Sequence, residues 1–257
     1  MNVICLQLDI AWQDPDANYT RARQMLAECT PAPGDLVILP EMFASGYSMD
    51  IAKIAEAPDG GSAKFLAEIS RQYQCWAIGG VATHTHAGKA RNEAIATAPD
   101  GSEVVRYAKV YPFSYADETD YYEAGNTTSV LQIGEIPTAP VICYDLRFPE
   151  LFRSAVRKGA EMFVVIASWP AERISHWTTL LQARAIENQA YVIGVNRCGM
   201  DPNCTYCGGT LIVGPKGDIL TDAGDTERAV IASINPEAVR QWRQEFPALR
   251  DMRDDIL

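Results

Sequence analysis

The chain of 257 residues has only three histidines, His84, His86 and His176. No local pattern singles one of them out as half of a Cys-His or Ser-His pair. H-T-H at 84–86 offers two metal-type nitrogens, but no acidic or cysteine ligand follows at a recognisable spacing, and Gly88 beside it reads as a hairpin tip. Neither a G-x-x-x-x-G-K-[ST] loop nor a G-x-G-x-x-G run is present, so a nucleotide cofactor is not indicated. No apolar stretch reaches the roughly 18 residues that a membrane-spanning helix needs. Basic residues are also in deficit: 22 Lys and Arg against 33 Asp and Glu give a formal net charge of −11. Such a surface repels phosphate backbones, which argues against a nucleic-acid partner.

Seven cysteines, an odd number at irregular spacing, argue against a disulfide framework. C-T-Y-C at 204–207 has the spacing of a zinc or redox pair but lacks a second ligand pair. The first residues, M-N-V-I-C-L-Q-L-D, have no basic start, and Gln7 and Asp9 interrupt the apolar run, so a signal peptide is not expected. The expectation is a cytoplasmic protein with reduced thiols.

What is present is a full apolar inventory, 47% of residues, spread without low-complexity tracts or a Pro/Gly/Ser-rich linker. One domain over residues 1–257 is expected. Strand and helix patterns alternate. Val3–Leu8, Leu36–Leu39, Cys75–Val81, Ala139–Cys143, Met162–Ala167, Tyr191–Asn196 and Arg228–Ile234 read as strands. Asn18–Cys29, Ser62–Gln74 (with Ser62 as N-cap), Glu150–Lys158, His176–Gln189 and Pro236–Gln244 read as helices. Asn92–Thr97 with Glu103–Tyr107, and Thr210–Val213 with Ile219–Leu220, read as hairpins. The fold class is therefore α/β, and strands apolar on both faces call for cover on both sides.

In open α/β sheets chemistry gathers at the carboxyl ends of strands. Three reactive residues meet that condition: Glu41 after V-I-L-P, Lys109 after V-V-R-Y-A and Cys143 after P-V-I. Taken singly, each has two readings. Glu41 is either a surface carboxylate or a shielded one whose pKa desolvation raises into the range of a general base. Lys109 is a solvated loop lysine or a fixed cation for an oxyanion. Cys143 is a small core side chain or a nucleophile whose thiol pKa is lowered at a strand-to-helix turn, with the Tyr144 N–H aimed at a tetrahedral intermediate.

As a set, L-P-E-M-F, Y-A-K-V-Y-P-F and V-I-C-Y-D-L-R-F-P-E resemble, in order, the motifs of the nitrilase superfamily, the carbon–nitrogen hydrolases. The resemblance implies an α-β-β-α sandwich, a Glu41-Lys109-Cys143 triad, no cofactor, and a homodimer paired through its helical layer. E-T-D-Y-Y-E-A-G-N resembles the stretch carrying a second glutamate, here Glu118, which would bond Lys109 or the substrate or serve structure alone. W-P-A-E-R-I-S-H-W followed by A-R-A-I-E-N-Q-A-Y resembles the omega-amidase branch. That branch implies a small primary amide as substrate, a monoamide of a 2-oxo dicarboxylic acid. Amidases of N-carbamoyl compounds or of deaminated glutathione, and a silent binding protein on the same fold, are the alternatives. Arg173 is the candidate for a remote substrate carboxylate, or else a surface-paired helix-start arginine. Trp169 and Phe43 are candidate pocket walls or core aromatics. Arg147 is expected to tie down the turn after Cys143 through a carboxylate.

Overall fold

The computed structural model describes residues 1–253. One six-stranded sheet contains β1 (Asn2–Gln7), β2 (Leu36–Ile38), β3 (Trp76–His84), β4 (Ala90–Thr97), β5 (Glu103–Ala108) and the late strand β14 (Arg228–Ser233), in the order β14-β1-β2-β3-β4-β5. The other contains β6 (Leu131–Ile133), β7 (Ile136–Ile142), β8 (Met162–Ala167), β9 (Tyr191–Asn196), β12 (Leu211–Val213) and β13 (Ile219–Asp222), in the order β6-β7-β8-β9-β12-β13. Each sheet has three parallel strands at its centre, one antiparallel strand on one side and an antiparallel pair on the other. A small ribbon pairs β10 (Cys198–Met200) with β11 (Thr205–Cys207).

The two-residue period of a strand sorts the core into layers. On β8, Met162, Val164 and Ile166 join Val3, Cys5, Leu36 and Ile38 in the apolar layer between the two sheets. Phe163, Val165 and Ala167 point the other way, against α5 (Pro149–Arg157) and α6 (Ile174–Asn188). On β2, Val37 packs against α1 (Pro15–Cys29) and α3 (Gly61–Tyr73). The result is the expected α-β-β-α order of layers.

Local chemistry sets the element ends. The Asp14 side chain accepts the Ala17 N–H at 3.1 Å and Pro15 opens α1, so that helix begins three residues before the expected start. Ser62 is not the N-cap of α3. The helix starts one residue earlier, and the Glu56 carboxylate accepts both the Ser62 N–H (2.8 Å) and the Ser62 hydroxyl (2.6 Å). A full negative charge arriving from the preceding loop displaces a neutral cap at a helix N-terminus. Thr205–Cys207, the last three residues of C-T-Y-C, are half of the ribbon: Cys207 lies opposite Cys198, and all seven cysteines are free thiols. α2 (Ile51–Ile54), α4 (Glu118–Tyr121) and α7 (Pro236–Glu245) complete the helices among the described residues.

The segment after β2 lies directly on β3. Gly80 N–H donates to Pro40 O at 3.1 Å and Phe43 N–H to Gly80 O at 3.2 Å. A Cβ on Gly80 would stand 2.6 Å from both Glu41 Cα and Met42 N, closer than any side chain permits. Gly80→Ala is therefore expected to lower unfolding free energy by about 1–3 kcal/mol, read from urea denaturation. A midpoint equal to the parent's would show that the Glu41 segment yields without cost.

Candidate active site

Glu41 leaves the end of β2 through Leu39-Pro40, and the following residue, Met42, takes the left-handed conformation (φ 46°). The turn brings the carboxylate into the interior, where Glu41 is 0% exposed. Its oxygens have different partners. Oε1 accepts from Lys109 Nζ (3.1 Å) and Asn92 Nδ2 (2.7 Å); Oε2 accepts from the Ser168 N–H (2.7 Å). Ser168 follows β8, so one carboxylate joins both sheets.

Lys109 follows β5 and is equally buried. Its backbone is clamped, its N–H donating to Asn92 O and its carbonyl accepting from Gly125 N–H, both at 2.8 Å. Its ammonium also reaches Glu118 Oε2 at 2.8 Å and Oε1 at 3.1 Å. Burial acts to lower the lysine pKa, but Glu118 and Glu41 outweigh it and hold the pKa well above its ordinary value. Glu118 opens α4 and accepts further bonds from Asn92 Nδ2 (3.0 Å), the Tyr47 hydroxyl (3.0 Å) and the Phe113 N–H (2.5 Å). Burial would raise its pKa; Lys109 and these donors overcome that and hold it below the ordinary carboxylate value.

Cys143 is the first residue after β7, and its φ of 46° is a left-handed value that costs a non-glycine residue about 1–2 kcal/mol. Asp145, not Arg147, holds this turn. Buried, it accepts from the Tyr107 hydroxyl (2.7 Å), the Tyr111 N–H (2.8 Å) and the Ile142 N–H (3.2 Å). Arg147 instead meets His176 Nδ1 at 3.3 Å and lies over the Trp169 ring, 4.8 Å from its centroid. Asp145 wins because the groups to be held are donors: its carboxylate accepts the Ile142 N–H at the start of the turn and the Tyr111 N–H from beyond β5, whereas a guanidinium has no acceptor to offer them.

The thiol pKa runs opposite to the expectation of a lowered value. Burial and then the Glu41 carboxylate push Cys143 well above its ordinary value, and Lys109 and the Ser168 backbone offset only part of this. At neutral pH the thiol holds its proton, so a nucleophilic role requires a base that takes it.

A cavity of about 450 Å³ opens over Lys109 and Cys143. Tyr144, Trp169, Arg147 and Arg173 line it, together with Trp12 and Tyr47, and the ribbon adds Asp201, Cys204 and Tyr206. Trp169 is held by its N–H to Asn196 Oδ1 (2.7 Å) and its indole N–H to Arg173 O (2.8 Å). Arg173 also pairs with the neighbouring Glu172. Phe43 is no part of the wall: it is fully buried against Tyr19 and Phe65 in the layer beneath α1 and α3. The left-handed turn at Met42 separates Glu41, turned to the site, from Phe43, turned to the helices. Asn92, Tyr47, Ser168 and Asn196 were not among the residues expected here. For Asn92 a signal exists: it is a polar side chain in phase with Ala94 and Ala96 on the inward face of β4.

The carbon–nitrogen hydrolase family profile matches residues 3–244. An omega-amidase of Escherichia coli (strain K12) is 36% identical over 254 residues, spanning 98% of this chain and 96% of its own. A 2-oxoglutaramate amidase of Bacillus subtilis (strain 168) is 32% identical over 257 residues, spanning 99% and 98%. Among solved structures, a CN-hydrolase superfamily protein of Xanthomonas campestris, with an arsenic adduct in its active site, superposes with a TM-score of 0.93 at 30% identity over 99% of this chain and 97% of its own.

Because Glu118 is held below its ordinary value of 4.5, its contribution to stability is complete above pH 4.5 and is lost as pH falls through the lower folded value. Glu118→Gln removes that titration. Urea midpoints for parent and variant between pH 7 and pH 3 are expected to show a shallower acid decline in the variant; parallel curves would refute the assignment.

Proposed function

The chain belongs to the carbon–nitrogen hydrolase family and is an amide-hydrolysing enzyme; on that premise we propose that it is an omega-amidase, releasing ammonia from monoamides of 2-oxo dicarboxylic acids such as 2-oxoglutaramate and 2-oxosuccinamate. The observation that carries the chemistry is the buried Glu41–Lys109 contact of 3.1 Å beside a thiol that stays protonated. Glu41 Oε2 takes the Cys143 proton as Sγ bonds to the amide carbon. The developing oxyanion is met by Lys109 and the Tyr144 N–H. An ammonium carries three donors; the three contacts of Lys109 go to only two carboxylates, and one N–H shared between the two Glu118 oxygens frees a donor to turn to it. Collapse breaks the carbon–nitrogen bond, the proton on Glu41 leaves with nitrogen as ammonia, and a thioester remains. Water then gives a proton to Glu41 and attacks the thioester carbon. The carbon–sulfur bond breaks, the acid departs and the thiol recovers its proton.

The substrate assignment rests on the relatives and on the cavity. Its volume falls within the roughly 300–1,000 Å³ usual for small-ligand sites. Two cations, Arg173 and Arg147, also line it and suit a carboxylate at the far end of the amide. Trp169 supplies a flat apolar wall. The proposal extends to a single domain, a homodimer formed through the helical layer, and a cytoplasmic setting without a cofactor.

Ammonia release is to be measured from 2-oxoglutaramate, 2-oxosuccinamate, an N-carbamoyl amine and deaminated glutathione. The two 2-oxo monoamides are expected to have the highest kcat/KM; a preference for either other compound would overturn the substrate reading. Cys143→Ala is expected to lose at least about 10³-fold in kcat, and acid-quenched parent enzyme to carry an acyl adduct on Cys143 by mass spectrometry. Full activity in that variant would sink the mechanism. Arg173→Ala is expected to raise KM for 2-oxoglutaramate about tenfold, and an unchanged KM would remove Arg173 from carboxylate recognition.

A further inference from the structure

Asn92 has no part in the scheme above, yet it touches both acidic groups of the site. It lies on β4, 1% exposed. Its Nδ2 donates to Glu41 Oε1 at 2.7 Å and to Glu118 Oε1 at 3.0 Å. Lys109 Nζ contacts the same two oxygens, each at 3.1 Å. A carboxamide has two N–H donors, and here each goes to a different carboxylate. Its Oδ1 is buried without a hydrogen-bond partner among the described residues. Buried acceptors rarely go unpaired, so the amide is held in this place by its donors at the expense of its oxygen.

The consequence falls on Glu41. Lys109 and Asn92 converge on Oε1, whereas Oε2 receives only the Ser168 N–H. One oxygen is anchored and the other is left for a proton. A second cation in place of Asn92 would neutralise the site's excess negative charge and weaken Glu41 as a base. An acidic side chain there would compete for the proton. A neutral double donor does neither.

We propose that Asn92 is a positioning residue: by anchoring Glu41 Oε1 it reserves Oε2 for the proton that moves between Cys143 and the leaving nitrogen, and by placing donors between Glu41 and Glu118 it keeps that proton from being shared with Glu118. This deepens the mechanism proposed above and rests on its Glu41–Cys143 proton transfer.

The groups that bear on the test are Glu41 after β2, Tyr47 before α2, Lys109 after β5, Glu118 at the start of α4, Tyr122 just after it, Cys143 after β7 and, in the same turn, Asp145, whose carboxyl burial raises to about 7. Their charges act on one another at close range, so the acidic limb of kcat/KM reports the cluster as a whole. Asn92→Leu removes a donor from the charged form of Glu41. The acidic limb is expected to move to higher pH by roughly one unit, and kcat to fall about tenfold to a hundredfold with KM within about twofold. Asn92→Ser, smaller and still able to donate one bond, is expected to show the same shift at reduced size and covers the case in which the leucine variant fails to fold. A kcat loss in both variants with the limb unmoved would assign Asn92 to packing alone and overturn the proposal, as would parent-like kcat and limb in both. Cys143→Ala assayed in parallel keeps the two readings apart. Activity in that variant refutes the proton-transfer scheme itself, whereas an inactive Cys143→Ala beside an unmoved limb refutes only the role of Asn92.

Discussion

Two buried carboxylates share one buried ammonium, and that imbalance governs the site. Lys109 lies 3.1 Å from Glu41 and 2.8 Å from Glu118, with all three side chains at or below 1% exposure. Taking three charges out of water is costly unless each is met by an opposite charge and by donors. Lys109 meets two acids at once, and Asn92, Tyr47 and the backbone N–H groups of Ser168 and Phe113 supply the remaining donors. The cluster still carries one negative charge in excess. Burial first, and then that excess, keep the neighbouring thiol protonated, because a thiolate would be a desolvated charge and a second negative one. Moving the thiol proton onto Glu41 leaves the total unchanged. The arrangement therefore disfavours an isolated thiolate at rest and permits one that forms together with a protonated Glu41.

The fold makes this possible by bringing strand ends of two similarly ordered sheets together. Each sheet has the same sequence of one antiparallel, three parallel and two antiparallel strands. Glu41 follows the middle parallel strand of one sheet, and Ser168 follows the middle parallel strand of the other. These two corresponding positions meet, the Ser168 N–H on Glu41 Oε2 at 2.7 Å and the Ser168 hydroxyl on Glu41 O at 3.4 Å. Gly80 lets the Glu41 segment press against β3, and Asp145 fixes the turn that carries Cys143. A carboxylate on one sheet and a thiol on the other are thus held by backbone, which limits their drift.

Much of this was legible in the sequence because strand ends are legible. Met162–Ala167 and Tyr191–Asn196 coincide with their strands, since short apolar runs bounded by turn residues leave little freedom. Glu41, Lys109 and Cys143 stood out as reactive side chains interrupting apolar runs. What one residue does to another was not legible. Ser62 looked like a cap until Glu56 took its place, a contact that depends on where the preceding loop runs. Arg147 and Asp145 sit in one turn, and which of them holds it depends on whether donors or acceptors from elsewhere in the fold meet there; they are donors, from Tyr107, Tyr111 and Ile142. Phe43 reads the same as wall or core, because both environments are apolar, and the left-handed Met42 that assigns it is a backbone feature no composition reveals. The thiol pKa was misjudged for a related reason: strand-to-helix context was visible, but the depth of burial of the thiol, and then the carboxylate across the sheet interface, were not.

Chemistry and recognition are also built from different material. The base, the lysine and the thiol sit at strand ends locked by buried hydrogen bonds. Arg147, Arg173 and the β10–β11 ribbon sit on connections around the cavity, where they are partly exposed. The ribbon itself is anchored from below: Arg197, fully buried, donates to Ile10 O and Met200 O at 3.1 Å, and its guanidinium lies 4.4 Å from the Tyr206 ring centroid. Connections tolerate substitution better than strand ends do. On the proposed function, substrate choice can therefore change by altering this rim while the charged cluster beneath it stays fixed, because no rim side chain takes part in the hydrogen bonds that join Glu41 to Lys109.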